Sequence, residues 1–264
     1  MKLTMLGTGG AFTRLRSNAH NNALIEVDGK RYLLDCSLYA FDVLEGEYGI
    51  DPLDLEGVLV THFHGDHISG LEELGFRSLF LGDRRPLLHC HPHLLPGITG
   101  EPSEDALDLW ENCLRGAMEN MRTPSGGSER ATLETYFAPR PAEQFFLGEE
   151  DRIRCTWFST DHVPGMSSFG LAFENDEGRR LCFSADSRLL SEEFYRTFDV
   201  ILHECLLLPS FAGTVHAHLE ELLELPTDIQ QRIHIMHYGD VDPALRLTED
   251  TALSVAEPKD IFEL

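Results

Sequence analysis

The chain repeats one arrangement five times: a short apolar run, rich in β-branched residues, that stops at a histidine or an acid. "VLVT" at 58–61 leads into His62, His64, Asp66 and His67, and "RCTWFST" leads into Asp161 and His162. "LCFSA" ends at Asp186, "DVIL" at His203 and Glu204, and "IHIM" at His237. Such runs read as strands. Strand C-termini on one edge of a layered α/β structure converge, so groups far apart in sequence can meet there. One histidine at a strand end is an ordinary polar stop, but five such ends constrain the chain to a fold in which they converge. Imidazole and carboxylate together suit Zn²⁺, and also Mn²⁺ or Fe²⁺. His62 and His64 alternate, so an extended segment points both the same way. Asp66 and His67 follow a turn at Gly65 and can face a second ion.

The rest of the chain supports a layered reading. Strand "KLTML" precedes a glycine loop at 7–10, and "ALIEV" and "RYLLD" flank Asp28-Gly29, which is hairpin turn chemistry. Helices are expected over 38–48, from about Gly70, over 103–121 and over 217–225. Strands are expected at "GVLVT", "PLLHC", "TLETYFA", "EQFFL", "RIRCTWFST", "DVILHE" and "RIHIMH", with a hairpin "FGLAFE"/"RRLCFSA" and a short C-terminal tail. Ser103 is placed to cap the third helix, with Leu107, Trp110, Leu114, Ala117 and Met121 on one face. That stripe is expected to contribute to a homodimer interface. "TPSGGSER" reads as a surface loop, so residues 1–264 are expected to form one domain. Hairpins in both halves and alternating strands and helices suggest an αββα sandwich.

Charge narrows the partners. With 45 acidic against 21 basic residues, the net charge is −24. Such a surface repels long polyphosphate chains, whose affinity for proteins comes largely from Lys and Arg displacing counterions. A small phosphorylated ligand remains compatible with a locally positive metal site. The six cysteines form no CxxC pair and are expected to be reduced thiols in a cytoplasmic protein. The N-terminus "MKLTMLGTGGAF" has no signal-peptide pattern, and no apolar run is long enough to span a bilayer.

The ordered set His62-x-His64-x-Asp66-His67, His162, Asp186, His237 resembles the metallo-β-lactamase superfamily, as do "LGTGGAF" and "LLDC". The resemblance implies that superfamily's four-layer αββα fold and two divalent ions, zinc with manganese as the alternative. It implies His62, His64 and His162 on one ion, Asp66, His67 and His237 on the other, and Asp186 bridging. "LHEC" and "TVHAHLEEL" resemble the phosphodiesterase branch that includes tRNase Z, in which Glu204 would orient a proton-donating His216. His218 is expected to be a helix N-terminal residue. The segment 96–146 lacks the basic arm with which tRNase Z clamps tRNA. "HVPGMSSFGL" and "MHYGD" resemble the armless anti-Pycsar enzymes, which destroy cyclic pyrimidine nucleotide signals.

The resemblance therefore implies hydrolysis of a small phosphodiester, most simply a cyclic nucleotide, by a hydroxide between the ions. Asp66 orients that nucleophile or takes its proton, and His216 protonates the leaving alkoxide. Ser167 and Ser168 are candidate substrate contacts. Arg14 and Arg16 could reach phosphate, and Phe12, Met166 or Tyr238 could stack a base. The alternatives are a tRNase Z-type RNA endonuclease, an ester or lactam hydrolase on the same fold, and a non-catalytic metal-binding module.

Overall fold

The computed structural model describes residues 1–14, 18–100, 107–120 and 130–264. The first half contributes strands β1 (Lys2–Gly7), β2 (Asn22–Val27), β3 (Lys30–Leu34), β4 (Gly57–Val60), β5 (Leu87–Cys90) and β6 (Ala138–Pro141). The second half contributes β7 (Gln144–Leu147), β8 (Ile153–Ser159), β9 (Phe169–Asn175), β10 (Arg180–Phe183), β11 (Val200–Glu204), β12 (Ile233–Met236), β13 (Ser254–Val255) and β14 (Ile261–Glu263). They form two mixed seven-stranded sheets, ordered β14-β1-β2-β3-β4-β5-β6 and β13-β12-β11-β10-β9-β8-β7. In each sheet antiparallel hairpins occupy one side and parallel strands the other. The expected hairpin turn is present. Val27 pairs with Lys30, and Asp28 and Gly29 both adopt positive φ (48° and 76°), the two left-handed positions of a type I′ turn.

Strand alternation sorts the side chains into layers. Ile153, Cys155 and Trp157 of β8 join Leu24, Leu33, Val58 and Phe183 in the main core, while Phe158 turns outward. On β11, Leu202 faces the first sheet and Ile201 faces the outer helices, where it packs with Tyr195, Leu222 and Ile229. Helices Leu71–Phe80 and Leu219–Leu223 lie on the outer faces of the first and second sheets. This is the expected αββα order.

Three expectations differ from the structure. "TLETYFA" is not wholly a strand: Leu133–Tyr136 is one helical turn closed by a Thr132/Thr135 capping box, and only Ala138 begins a strand. Leu133 and Tyr136 then share one buried face, and Tyr136 donates from its hydroxyl to Met118 O at 2.8 Å. The "tail" contains the helix Val241–Thr248 and two strands, of which β13 extends the second sheet and β14 crosses to pair with β1. Ser103 and Met121 of the helix expected over 103–121 lie outside the described residues, as do Arg16 and the loop Gly126-Gly127. Its described part is a wide turn, Leu109–Leu114, followed by Arg115–Met118, and Asp108 caps it by accepting from Trp110 N and Glu111 N. The wide turn shifts the register, so Leu109, Leu114 and Met118 are buried in the main core while Ala117 is exposed. The chain itself covers Leu109, Leu114 and Met118, while Leu107 of the expected stripe is exposed and Trp110 half-buried.

Candidate metal centre

Each site residue sits where a strand running toward one edge of the sandwich ends. After β4 the chain stays extended through His64 and then enters the helix Gly65–Ile68. His62 Nε2 and His64 Nδ1 therefore come within 3.2 Å of each other, and His64 Nδ1 is 3.1 Å from His162 Nε2 beyond β8. Asp186 Oδ2, beyond β10, lies 3.8 Å from His62 Nε2 and 3.7 Å from His162 Nε2. The first helical turn presents Asp66 and His67 to a second group. Asp66 Oδ2 is 3.4 Å from His67 Nε2 and 3.2 Å from His237 Nε2, and Asp186 Oδ1 is 3.3 Å and 3.4 Å from the same two nitrogens. Asp186 thus offers one oxygen to each group. Ligand atoms about 2.0–2.1 Å from a tetrahedral ion stand roughly 3.3–3.4 Å apart; the second group lies close to this spacing at 3.2–3.4 Å, and the first brackets it at 3.1–3.8 Å.

The electrostatics fit cations. His67 Nε2 and Asp186 Oδ1 are buried without a hydrogen-bond partner although they face each other, an arrangement that a shared ion satisfies and that otherwise costs free energy. Burial, reinforced by His67, holds His62 well below the ordinary imidazole value, so its ring is neutral and keeps a lone pair to donate. Burial lowers His64 likewise. At His67 and His237 burial opposes charge, but Asp186, Asp66, Asp35 and Glu204 outweigh it and raise both strongly. Burial disfavours the Asp66 carboxylate, yet His67 and His237 hold it ionised.

Outer partners aim the rings. His67 Nδ1 donates to Asp35 Oδ2 at 2.7 Å, His162 Nδ1 donates to Val215 O at 2.9 Å, and His62 Nδ1 lies 3.0 Å from Thr61 Oγ1. Thr61 in turn donates from N and Oγ1 to Asp35. These bonds fix the tautomer that leaves Nε2 free to face an ion. Asp35, Ala185 and His237 all have left-handed φ (57°, 51° and 59°), so the chain turns sharply where it enters the site. Gly10 makes room for one of these turns: a Cβ there would lie 3.3 Å from His237 Cε1 and 3.2 Å from its carbonyl oxygen.

Glu204 and His216 stand beside the second group. Glu204 Oε2 accepts from His216 Nδ1 at 2.6 Å and lies 3.4 Å from His237 Nδ1, while Oε1 accepts from Ser187 N. Burial lowers His216, but the Glu204 hydrogen bond and the Glu204 and Asp186 charges outweigh it, so its basicity rises. The arrangement joins a proton donor to a ligand ring through one carboxylate.

Other expected residues fall elsewhere. His203 faces the outer layer, where Tyr195 donates to its Nε2 at 2.7 Å, because alternation on β11 turns it opposite to Glu204. Asp161 is exposed and pairs with Arg188 at 3.6 Å. His218 caps the helix Leu219–Leu223, as expected. Tyr238 is buried; its hydroxyl accepts from Thr8 Oγ1 and donates to Ala256 O, so it is no stacking surface. Phe12 is exposed, and Met166 packs against the core. Ser168 is buried with its hydroxyl accepting from Thr160, and Ser167 is half-buried. Cys113 is exposed, unlike the five other thiols. The sequence reading gave Asp35 no role, although it too is an acid that ends an apolar strand.

The comparisons agree with this geometry. The family model described as anti-Pycsar protein Apyc1 matches residues 1–262. The chain belongs to this family. The family's protein from Saccharibacillus brassicae is 39% identical over 246 residues, covering 91% of this chain and 90% of its own. The family's proteins from Paenibacillus harenae and Bacillus phage 010DV004 are each 35% identical, with the same two coverages. Among solved structures, the metallo-β-lactamase fold protein YhfI from Bacillus subtilis superposes with a TM-score of 0.70 at 16% identity, covering 100% of this chain and 99% of that one. Human tRNase Z, short form, gives 0.64 at 16% identity with the same coverages. A diphosphatase of the PhnP family gives 0.67 at 16% identity, covering 100% of this chain and 97% of that one. The Apyc1-family chain therefore has the metallo-β-lactamase fold, and its His/Asp cluster could hold metal ions. Among the described residues no helix is long and apolar enough to cross a membrane.

Proposed function

We propose that the chain is a dinuclear metal-dependent phosphodiesterase acting on a cyclic nucleotide. The observation that carries this reading is the placement of Asp186 between two ligand groups with the Glu204–His216 pair alongside. His62, His64 and His162 would hold one divalent ion, Asp66, His67 and His237 the other, and Asp186 both, with zinc favoured and manganese the alternative. Ions so held supply charge for the phosphoryl oxygens and acidify water. Asp66, kept ionised, orients the attacking water or takes its proton. His216, whose Nδ1 is fixed by Glu204, presents its other nitrogen to the leaving oxygen. An alkoxide is a poor leaving group, and this is the step at which a cationic histidine helps most. A lactam or ester hydrolase has less need of such a pair. Of the two candidate substrate contacts, half-buried Ser167 would serve better than Ser168, which is buried and bonded to Thr160.

The names of the relatives support a cyclic-nucleotide substrate, and the charge of −24 disfavours long RNA. The test is purified protein assayed on cyclic mono- and dinucleotides, a bis-aryl phosphodiester and pre-tRNA, with elemental analysis alongside. Two ions per chain and cleavage of cyclic nucleotides are expected. One ion or none in active protein would remove the dinuclear mechanism, and activity confined to pre-tRNA would reassign the substrate.

A further inference from the structure

The chain leaving β5 carries a surface with no assigned role beside the centre. β4 and β5 pair in parallel with Val60 opposite Cys90, so 61–62 and 91–92 leave the sheet side by side, about one strand spacing of 4.8 Å apart. Phe169 N donates to Thr61 O at 3.1 Å, which sets Phe169 next to the residue preceding His62. The His91 ring lies flat on Phe169, with centroids 3.9 Å apart and planes inclined by 14°. His93 stands edge-on to His91 at 4.7 Å and is 6.3 Å from Phe169. These three distances make nearly a right angle at His91, so His93 flanks the ring and does not cover the face turned away from Phe169. Among the described residues no ring stacks on that face.

His91 is half-buried and His93 exposed. Burial, with His93 adding to it, pushes His91 down to about 4, so the ring is neutral near pH 7. Its Nδ1 accepts from His93 N at 3.2 Å, which leaves the proton on Nε2 at the ring edge. A flat neutral ring, backed by an aromatic and with one edge donor, matches the π-face and edge acceptors of a nucleobase.

We propose that His91, backed by Phe169 and flanked by His93, is the stacking platform for the base of the nucleotide substrate. This rests on the phosphodiesterase reading. The test compares a 3′,5′-cyclic nucleotide with 1-O-methylribose 3′,5′-cyclic phosphate, which keeps the reacting group and lacks the base. The unaltered protein should show a KM about ten-fold lower for the nucleotide. His91→Leu, which fills the space over Phe169 without a planar face, should abolish that preference while leaving kinetics on the base-free compound unchanged. His91→Phe should retain the preference. Equal losses on both compounds, or no loss on either, would overturn the platform. If the unaltered protein cleaves both compounds equally well, the platform alone fails; if it cleaves neither, the phosphodiesterase reading fails with it.

Discussion

Glu204 Oε2 faces two imidazoles, His216 and His237, and this sharing separates the effects of two substitutions. His216→Ala should leave metal content intact and slow an alkyl or ribosyl phosphodiester by about 10²–10⁴-fold, with a smaller loss on a nitrophenyl ester that needs little proton help. Glu204→Ala should also weaken the ion at His237, by roughly 10–100-fold, because it removes the ring's outer partner. Metal titration alongside kinetics distinguishes them, and equal metal affinity in both variants would argue against the shared role. Since His216 is raised above its ordinary value, activity on alkyl esters should fall on the alkaline side as it deprotonates, and that limb should vanish in His216→Ala. A second histidine acts on stability. His89 is buried on β5 and stacked 4.5 Å from Phe145; neither nitrogen has a partner, and burial, helped by Arg140, pushes it down to about 4. Protonation therefore favours the unfolded chain below its ordinary value of 6.5. Stability should fall by up to about 3 kcal/mol between that pH and 4. Urea unfolding of His89→Phe should lack this share of the acid slope, and an unchanged slope would exclude His89 as its source. The seven residues that the fold gathers into two groups were legible as a convergent cluster because they follow apolar runs that read as strands. Asp35, Thr61 and the carbonyl of Val215 were not, since their roles depend on where a neighbouring ring comes to point.

At the scale of elements, strands were read better than helices. Apolar runs joined by turn residues identified the hairpins β2/β3 and β9/β10, and a longer apolar run identified β8, whose Ile153, Cys155 and Trp157 alternate into the shared core. The turn Leu133–Tyr136 escaped because its β-prone residues are overruled by a capping box and by two side chains entering one pocket. The wide turn at Leu109–Leu114 likewise moved a stripe that a regular 3.6-residue period had placed differently. β13 and β14 are too short to carry a pattern, yet β14 covers the outer edge of β1, with Phe262 opposite Leu3. Deleting 261–264 should uncover that edge and part of the core, lower the melting temperature and promote self-association. Light scattering and thermal unfolding check this, and a monomer of unchanged stability would show that β14 contributes nothing.

For the whole molecule, the two sheets meet at a cluster of buried acids: Asp35, Asp66, Asp186 and Glu204 are all nearly inaccessible. Cations held there would relieve mutual repulsion and, by favouring the folded chain that assembles the cluster, would stabilise it. An ion at 100 times its dissociation constant adds about 2.7 kcal/mol. In a protein of this size, chelation should lower the melting temperature by at least about 5 °C. Asp186→Ala should respond much less, and a melting point indifferent to chelator would contradict a metal-supported fold. The order of the ligands has a further consequence, during synthesis. On the dinuclear reading the first ion would need residues up to 186 and the second residue 237, while β1, made at the outset, waits for β14 to cover its edge. A ribosome delivers these pieces one after another, so for most of translation the histidines at 62–67 belong to a centre that does not yet exist. The nascent chain carries half of the ligand cluster unassembled, and on the proposed function hydrolysis would become possible only once β12 has docked and brought His237 into place.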